Sequence, residues 1–192
     1  ENTQVLIITL GTAWVYRDQK SKRIVNNCHQ RPATDFIRSR LNVTEVVDIL
    51  HQAYLAVYQM NPNIKIIYTV SPVRHLKDGA IENQRSKSTL LLALEELLRL
   101  QPAHCFYFPA YEIMLDELRD YRFYKDDLLH PNDMAVRMIC NTFTSSYLDQ
   151  NESDIRSAVF KVQKGLSHKA HDPTSRASIN HKSKMNENLS IL

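Results

Sequence analysis

Three short apolar runs, each stopped by a turn residue, frame this chain. Val5–Leu10 runs into Gly11, residues 64–70 into Ser71-Pro72, and residues 105–108 into Pro109. A strand buried on both faces reads as an unbroken apolar run, and such strands belong to parallel sheets. Between the runs the period becomes helical. Val46, Ile49, Leu50, Ala53, Val57 and Met60 share one face of a helix that Asn42 and Glu45 are placed to cap. Leu90, Leu91, Leu94, Leu97 and Leu98 mark a second helix, ended before Pro102, with residues 83–87 read as its capping region. A shorter helix is expected over residues 111–118. Ala135, Met138, Ile139, Phe143 and Tyr147 predict another, with Pro131 at its first position and His130 as its cap. Val15-Tyr16 and residues 23–25 flank a polar turn and suggest a small hairpin. Strands alternating with helices imply an α/β fold, a parallel sheet with flanking helices joined by right-handed crossovers.

At 192 residues and 43% hydrophobic, the chain fits one domain with one core. That domain is expected over residues 1–150. Residues 151–192 are read as a last helix on Ile155, Val159, Val162 and Leu166, followed by a polar tail rich in Ser, His, Lys and Asn. The net charge of +3 is spread among interleaved acids, with no basic stripe, so no nucleic-acid partner is expected. No apolar run is long enough to span a bilayer, so no membrane partner is expected either. Cys28, Cys105 and Cys140 are odd in number and widely spaced, as reduced thiols in the cytoplasm would be. Gly11, Gly79 and Gly165 each fall at a break, which excludes the clustered glycines of a nucleotide-binding loop. Cys28-His29, His75 and His130 lack paired ligand spacing, so neither metal nor cofactor is expected. The chain begins at Glu1 and reaches an apolar strand almost at once. Three strands are few for such a sheet, where about five are typical, so the expectation is a fragment whose missing strands precede residue 1.

Ligands in open α/β sheets bind beyond the carboxyl ends of the strands. Gly11, Thr12, Ser71, Arg74, His75, Tyr111 and Glu112 all fall there. The stretch Asp127-Leu128-Leu129-His130 puts a carboxylate three residues ahead of an imidazole. A carboxylate that fixes the tautomer and restores basicity is what a general base needs to activate a hydroxyl. The plainer reading is a helix-capping histidine beside a solvated aspartate. Ser71 follows a buried strand, the place of a nucleophile, but no G-x-S-x-G glycines permit a sharp elbow. A serine satisfying backbone groups at the strand end fits better. Arg74 is suited to hold an anion. Residues 116–124 mix both charges with aromatics, as a solvated ion-pair face or as support for the adjacent Asp127.

Several stretches together resemble the GSCFA family, a bacterial group with an SGNH-hydrolase-like (GDSL esterase-like) fold. They are residues 9–16, 27–29, 69–75 with Gly79, 83–87, 108–112 and 116–131, so the resemblance runs from Val5 to about Tyr147. It implies a five-stranded parallel sheet in a three-layer sandwich, ordered 2-1-3-4-5, of which this chain keeps the last three strands. It also implies a serine esterase constellation on the sheet's rim. Asp127 and His130 match the acid and base of the last block. Gly11 and Thr12 align with a block that ordinarily reads G-x-N-D, but Ala13 and Trp14 stand where asparagine and aspartate belong. The usual side-chain oxyanion donor is therefore missing, and losing one such donor costs about 2.7–4 kcal/mol. Asn26 and Asn27 are candidates to replace it. The Gly-Ser-Cys-Phe-Ala segment that names the family, with its serine, is not in these 192 residues and is expected ahead of Glu1. The resemblance implies an ester hydrolase acting on a small-molecule or carbohydrate ester without a cofactor, with this chain alone inactive. Gly11, Thr12, Asn27, Arg74 and His75 would bind oxyanion or substrate. The alternative is a non-catalytic carbohydrate- or acyl-binding module on the same fold.

Overall fold

The computed structural model describes residues 3–25, 31–148 and Val159. Asn26, Asn27, Cys28, His29 and, apart from Val159, the expected C-terminal helix and tail lie outside the described residues. The chain divides into two compact units, Glu1–Ile139 and Cys140–Leu192.

The first unit is α/β. Its parallel sheet is open and has three strands among the described residues: β1 (Val5–Leu10), β5 (Lys65–Val70) and β6 (Cys105–Tyr107), in the order β1-β5-β6. Val5 pairs with Lys65 through Leu10 with Val70, and Ile66 with Cys105 through Tyr68 with Tyr107. Two helices cover one face, α1 (Val43–Met60) and α2 (Gly79–Leu100). Val46, Val47, Leu50 and Tyr54 of α1 and Leu90, Ala93, Leu94 and Leu97 of α2 form one core with Ile66, Tyr68 and Val70 of β5. Each valine, leucine or isoleucine among them contributes about 1.5–3 kcal/mol when fully buried. The expected capping box starts α1: Asn42 Oδ1 accepts from the Glu45 N–H at 2.9 Å, and Glu45 Oε2 accepts from the Asn42 N–H at 2.8 Å.

Among the described residues β1 is an edge strand, and it alternates. Leu6, Ile8 and Leu10 pack against the core, while Val5 and Ile7 are about half exposed (48% and 52%) on the opposite face. The unbroken apolar run was expected to be buried on both sides, and for β1 it is not. In β5, by contrast, Ile67 and Thr69 on that opposite face are buried as well.

A second, antiparallel sheet comprises β2 (Trp14–Asp18), β3 (Ile24–Val25) and β4 (Phe36–Arg40), in the order β3-β2-β4. The hairpin pairs Tyr16 with Val25 and Arg17 with Ile24, and β4 adds to its other edge. Buried Asp18 organises the turn, accepting from the Lys20 and Ser21 N–H groups and from Arg31 Nη1 at 2.6 Å. Those hydrogen bonds hold its carboxyl far below the ordinary carboxylate range. Arg38 of β4 lies over the Trp14 ring, 4.4 Å from its centroid, and binds both carboxylate oxygens of Asp78 just ahead of α2.

The segment after β6 forms the short helix α3 (Ala110–Glu112), continuing in a π-helical turn, Ile113–Glu117. The last described helix is α4 (Asp133–Tyr147).

Candidate functional site

Asp127 and His130 meet as their spacing predicts. Asp127 Oδ2 lies 2.7 Å from His130 Nδ1, and its Oδ1 accepts from the Leu129 and His130 N–H groups at 2.8 and 2.9 Å. The two backbone donors, then the ring, lower the Asp127 pKa to about 2. The ionised carboxylate can only accept, so Nδ1 carries a proton, and the tautomer this selects has its lone pair on Nε2. Nε2 has no partner among the described residues, and both side chains are about half exposed. Chemically, this is an oriented imidazole open to a reactant.

The loop is held in place by contacts on both sides. The Lys125 N–H donates to the His130 carbonyl at 2.8 Å, and Leu128 between them adopts a left-handed φ of 57°. Arg74 Nη2 donates to the Leu128 carbonyl at 2.5 Å, with its guanidinium 5.2 Å from the centroid of the Tyr124 ring. Because Arg74 sits on the segment leaving β5, this bond ties the Asp127–His130 loop to the carboxyl ends of the strands. Arg74 was expected to hold an anion; in the structure one arm of its fork is taken by backbone.

Helix α4 does not begin where Pro131 suggests. Asn132 Oδ1 accepts from the Met134 and Ala135 N–H groups at 3.1 Å each, so Asn132 is the N-cap. Pro131 instead forms an isolated bridge with Tyr124, a place its fixed φ also suits. His130 is therefore not the cap, and it is Asp127, not the helix terminus, that orients its ring.

Gly11, Thr12 and His75 gather around the start of α2. His75 Nε2 stands 3.5 Å from the position a Gly11 Cβ would take, and the His75 N–H donates to Asn83 Oδ1 at 2.9 Å. Burial, then the charges of Lys87 and Arg38, push the His75 pKa down. Ser86 Oγ accepts from the Ala13 N–H at 2.7 Å and pairs with Thr12 Oγ1 at 3.0 Å. Lys87 is fully buried, and its Nζ donates to the Gly11 and Ser71 carbonyls at 2.6 Å each. Tyr111 donates to Gln84 Oε1 at 2.9 Å. Residues 83–87 are thus not a capping region. They form the second turn of α2, which opens at Gly79, where a φ of 84° lets the chain turn in.

Of the expected site residues, Asp127, His130 and Arg74 share one set of contacts, and Gly11, Thr12 and His75 another. Both sets are anchored on the segment leaving β5. Asn83, Ser86 and Lys87 were missed. Their spacing continues the buried stripe of Leu90, Leu94 and Leu97, and polar residues on an apolar helix face were the available clue. No group of three or more His, Cys, Asp or Glu side chains among the described residues could hold a metal ion. None of their helices is long and apolar enough to cross a membrane.

The family model of the GSCFA family matches residues 1–143, about three quarters of the chain. This chain belongs to the GSCFA family. No curated protein and no solved structure matches it. The GSCFA match spans both sheets, the Lys87 turn and the Asp127–His130 loop.

Proposed function

We propose that this GSCFA chain is the base-bearing part of an SGNH-type ester hydrolase. The observation that carries the reading is the 2.7 Å contact between Asp127 and His130, with His130 Nε2 unpartnered among the described residues and the side chain about half exposed. In this reading the nucleophile is the serine of the family's Gly-Ser-Cys-Phe-Ala segment, which is not among these 192 residues. His130 Nε2 removes the serine proton as Oγ bonds to the ester carbonyl carbon. The C–O bond then breaks, and the imidazolium returns the proton to the leaving alkoxide. Water next attacks the acyl-serine, giving its proton to Nε2. Collapse of that intermediate frees the acid, and the proton goes back to Oγ. Asp127 stabilises the imidazolium at each stage. The substrate is a small-molecule or carbohydrate ester. The free thiols of buried Cys105 and exposed Cys140 support a cytoplasmic setting.

A second reading, a carbohydrate- or acyl-binding module, is favoured by one feature. Ala13 is buried and supplies no side-chain donor where the SGNH pattern has asparagine. The test is hydrolysis of p-nitrophenyl butyrate by the chain carrying the family's serine segment. We expect His130-dependent turnover and labelling of that serine by a fluorophosphonate, with the 192-residue chain at background. Turnover unaffected by His130→Ala would overturn the hydrolase reading, and tight ester binding without turnover would favour the binding module.

A further inference from the structure

Lys87 is a buried cation with no carboxylate partner among the described residues. It is 0% exposed, its Nζ donates to the carbonyls of Gly11 and Ser71, and the Tyr111 ring lies 5.9 Å away. Burying an ammonium among neutral acceptors is costly. As a mere tie between β1 and β5 it is superfluous, because the ladder already joins them there: the Ser71 N–H donates to the Leu10 carbonyl at 2.9 Å.

What Lys87 does determine is the orientation of one peptide. The bond between Gly11 and Thr12 is trans, so its C=O and N–H point in opposite directions. With the Gly11 oxygen drawn inward to Nζ, the Thr12 N–H is turned away from the ammonium. No acceptor among the described residues takes that N–H. The next two N–H groups are occupied, Ala13 by Ser86 Oγ and Trp14 by Thr12 Oγ1 at 3.2 Å. Ser86 and Lys87, adjacent on α2, thus fix both ends of the turn and leave one amide unbound. A cation on the carbonyl oxygen also polarises the peptide and strengthens its N–H as a donor.

We propose that Lys87 is a positioning residue that, through the Gly11 carbonyl, presents the Thr12 N–H as an oxyanion donor in place of the side chain Ala13 cannot supply. The proposal rests on the hydrolase reading and deepens it. In the chain carrying the serine segment, Lys87→Met should lower kcat about 10²- to 10³-fold, as loss of one oxyanion donor does, with KM within twofold. Lys87→Arg should recover part of the loss. A folded Lys87→Met variant with wild-type kcat would overturn the proposal. A readout that needs no substitution is the ¹⁵N-labelled chain carrying the serine segment, treated with an alkyl fluorophosphonate. The Thr12 amide proton should move downfield as the phosphonyl oxygen takes the oxyanion position. An adduct that leaves Thr12 unmoved overturns the Lys87 proposal alone. No adduct and no turnover in the wild type overturns the hydrolase reading, and the proposal with it.

Discussion

Arg74 Nη2 and the Leu128 carbonyl oxygen stand 2.5 Å apart, so the loop that positions His130 is latched to the segment leaving the central strand. The latch holds a leucine in left-handed backbone, φ 57°, a conformation that costs a non-glycine residue roughly 1–2 kcal/mol. Leu128→Gly should therefore raise stability by up to about 1 kcal/mol, because glycine's own entropic cost offsets part of the relief. Arg74→Ala should loosen the loop with little change in the core. Amide hydrogen exchange of residues 125–130 checks the second, and urea unfolding the first. A destabilised Leu128→Gly would show that the leucine side chain matters more than its backbone strain.

Asp127 should titrate at about pH 2, below the ordinary 3.8. A carboxylate whose pKa falls on folding supports the fold above its unfolded pKa and loses that support as acid reaches the folded value. The loop should thus stay ordered at pH 4 and come apart between about 4 and 2. Carboxyl ¹³C shifts of Asp127 followed with pH measure this directly. Asp127→Asn leaves the ring without an ionised acceptor, and under the proposed mechanism it should lower kcat by up to about 10⁴-fold.

The start of α4 is testable by two substitutions. Asn132→Ala removes an N-cap bonded to two amides and should cost about 1 kcal/mol. Pro131→Ala, outside the helix, should cost less. The reverse order in thermal melts would restore Pro131 as the first helical residue.

Burial pushes the Lys87 pKa down from 10.5 to about 8. A lysine whose pKa falls on folding binds fewer protons folded than unfolded between those values, so its contribution to stability rises with pH. Relative to Lys87→Met, the wild type should gain about 3 kcal/mol between pH 8 and 10.5. Denaturant unfolding of both proteins at several pH values gives the difference, and tyrosines common to both cancel. A flat difference would place the ammonium in a wetter environment than its full burial indicates.

Legibility in the sequence followed how local the determinants were. The capping box of α1 and the contact between Asp127 and His130 each lie within four residues, and both are as their spacing predicts. β4 was not legible, since residues 36–40 carry two apolar side chains and form a strand only by pairing with β2. The start of α2 was hidden for a related reason. Its preceding residue, Asp78, makes no side-chain cap because Arg38 occupies its carboxylate. Pro131 misled because an extended bridge and a first helical turn ask for the same φ. Lys87 escaped notice because its partners are carbonyls of distant strand ends, and carbonyl positions leave no mark on sequence.

Trp14 is the chain's one tryptophan, and it lies in the antiparallel sheet beneath the Arg38 guanidinium. Its emission therefore reports on that sheet and its immediate contacts, whereas the helical ellipticity of the described residues comes chiefly from α1, α2 and α4. The two optical signals watch different elements of one polypeptide. Coincident melting curves would mean that the links between them, Arg38 with Asp78 and Arg40 with Glu82 and Thr89, transmit unfolding from one to the other. An earlier fluorescence transition would identify the small sheet as a separately melting element.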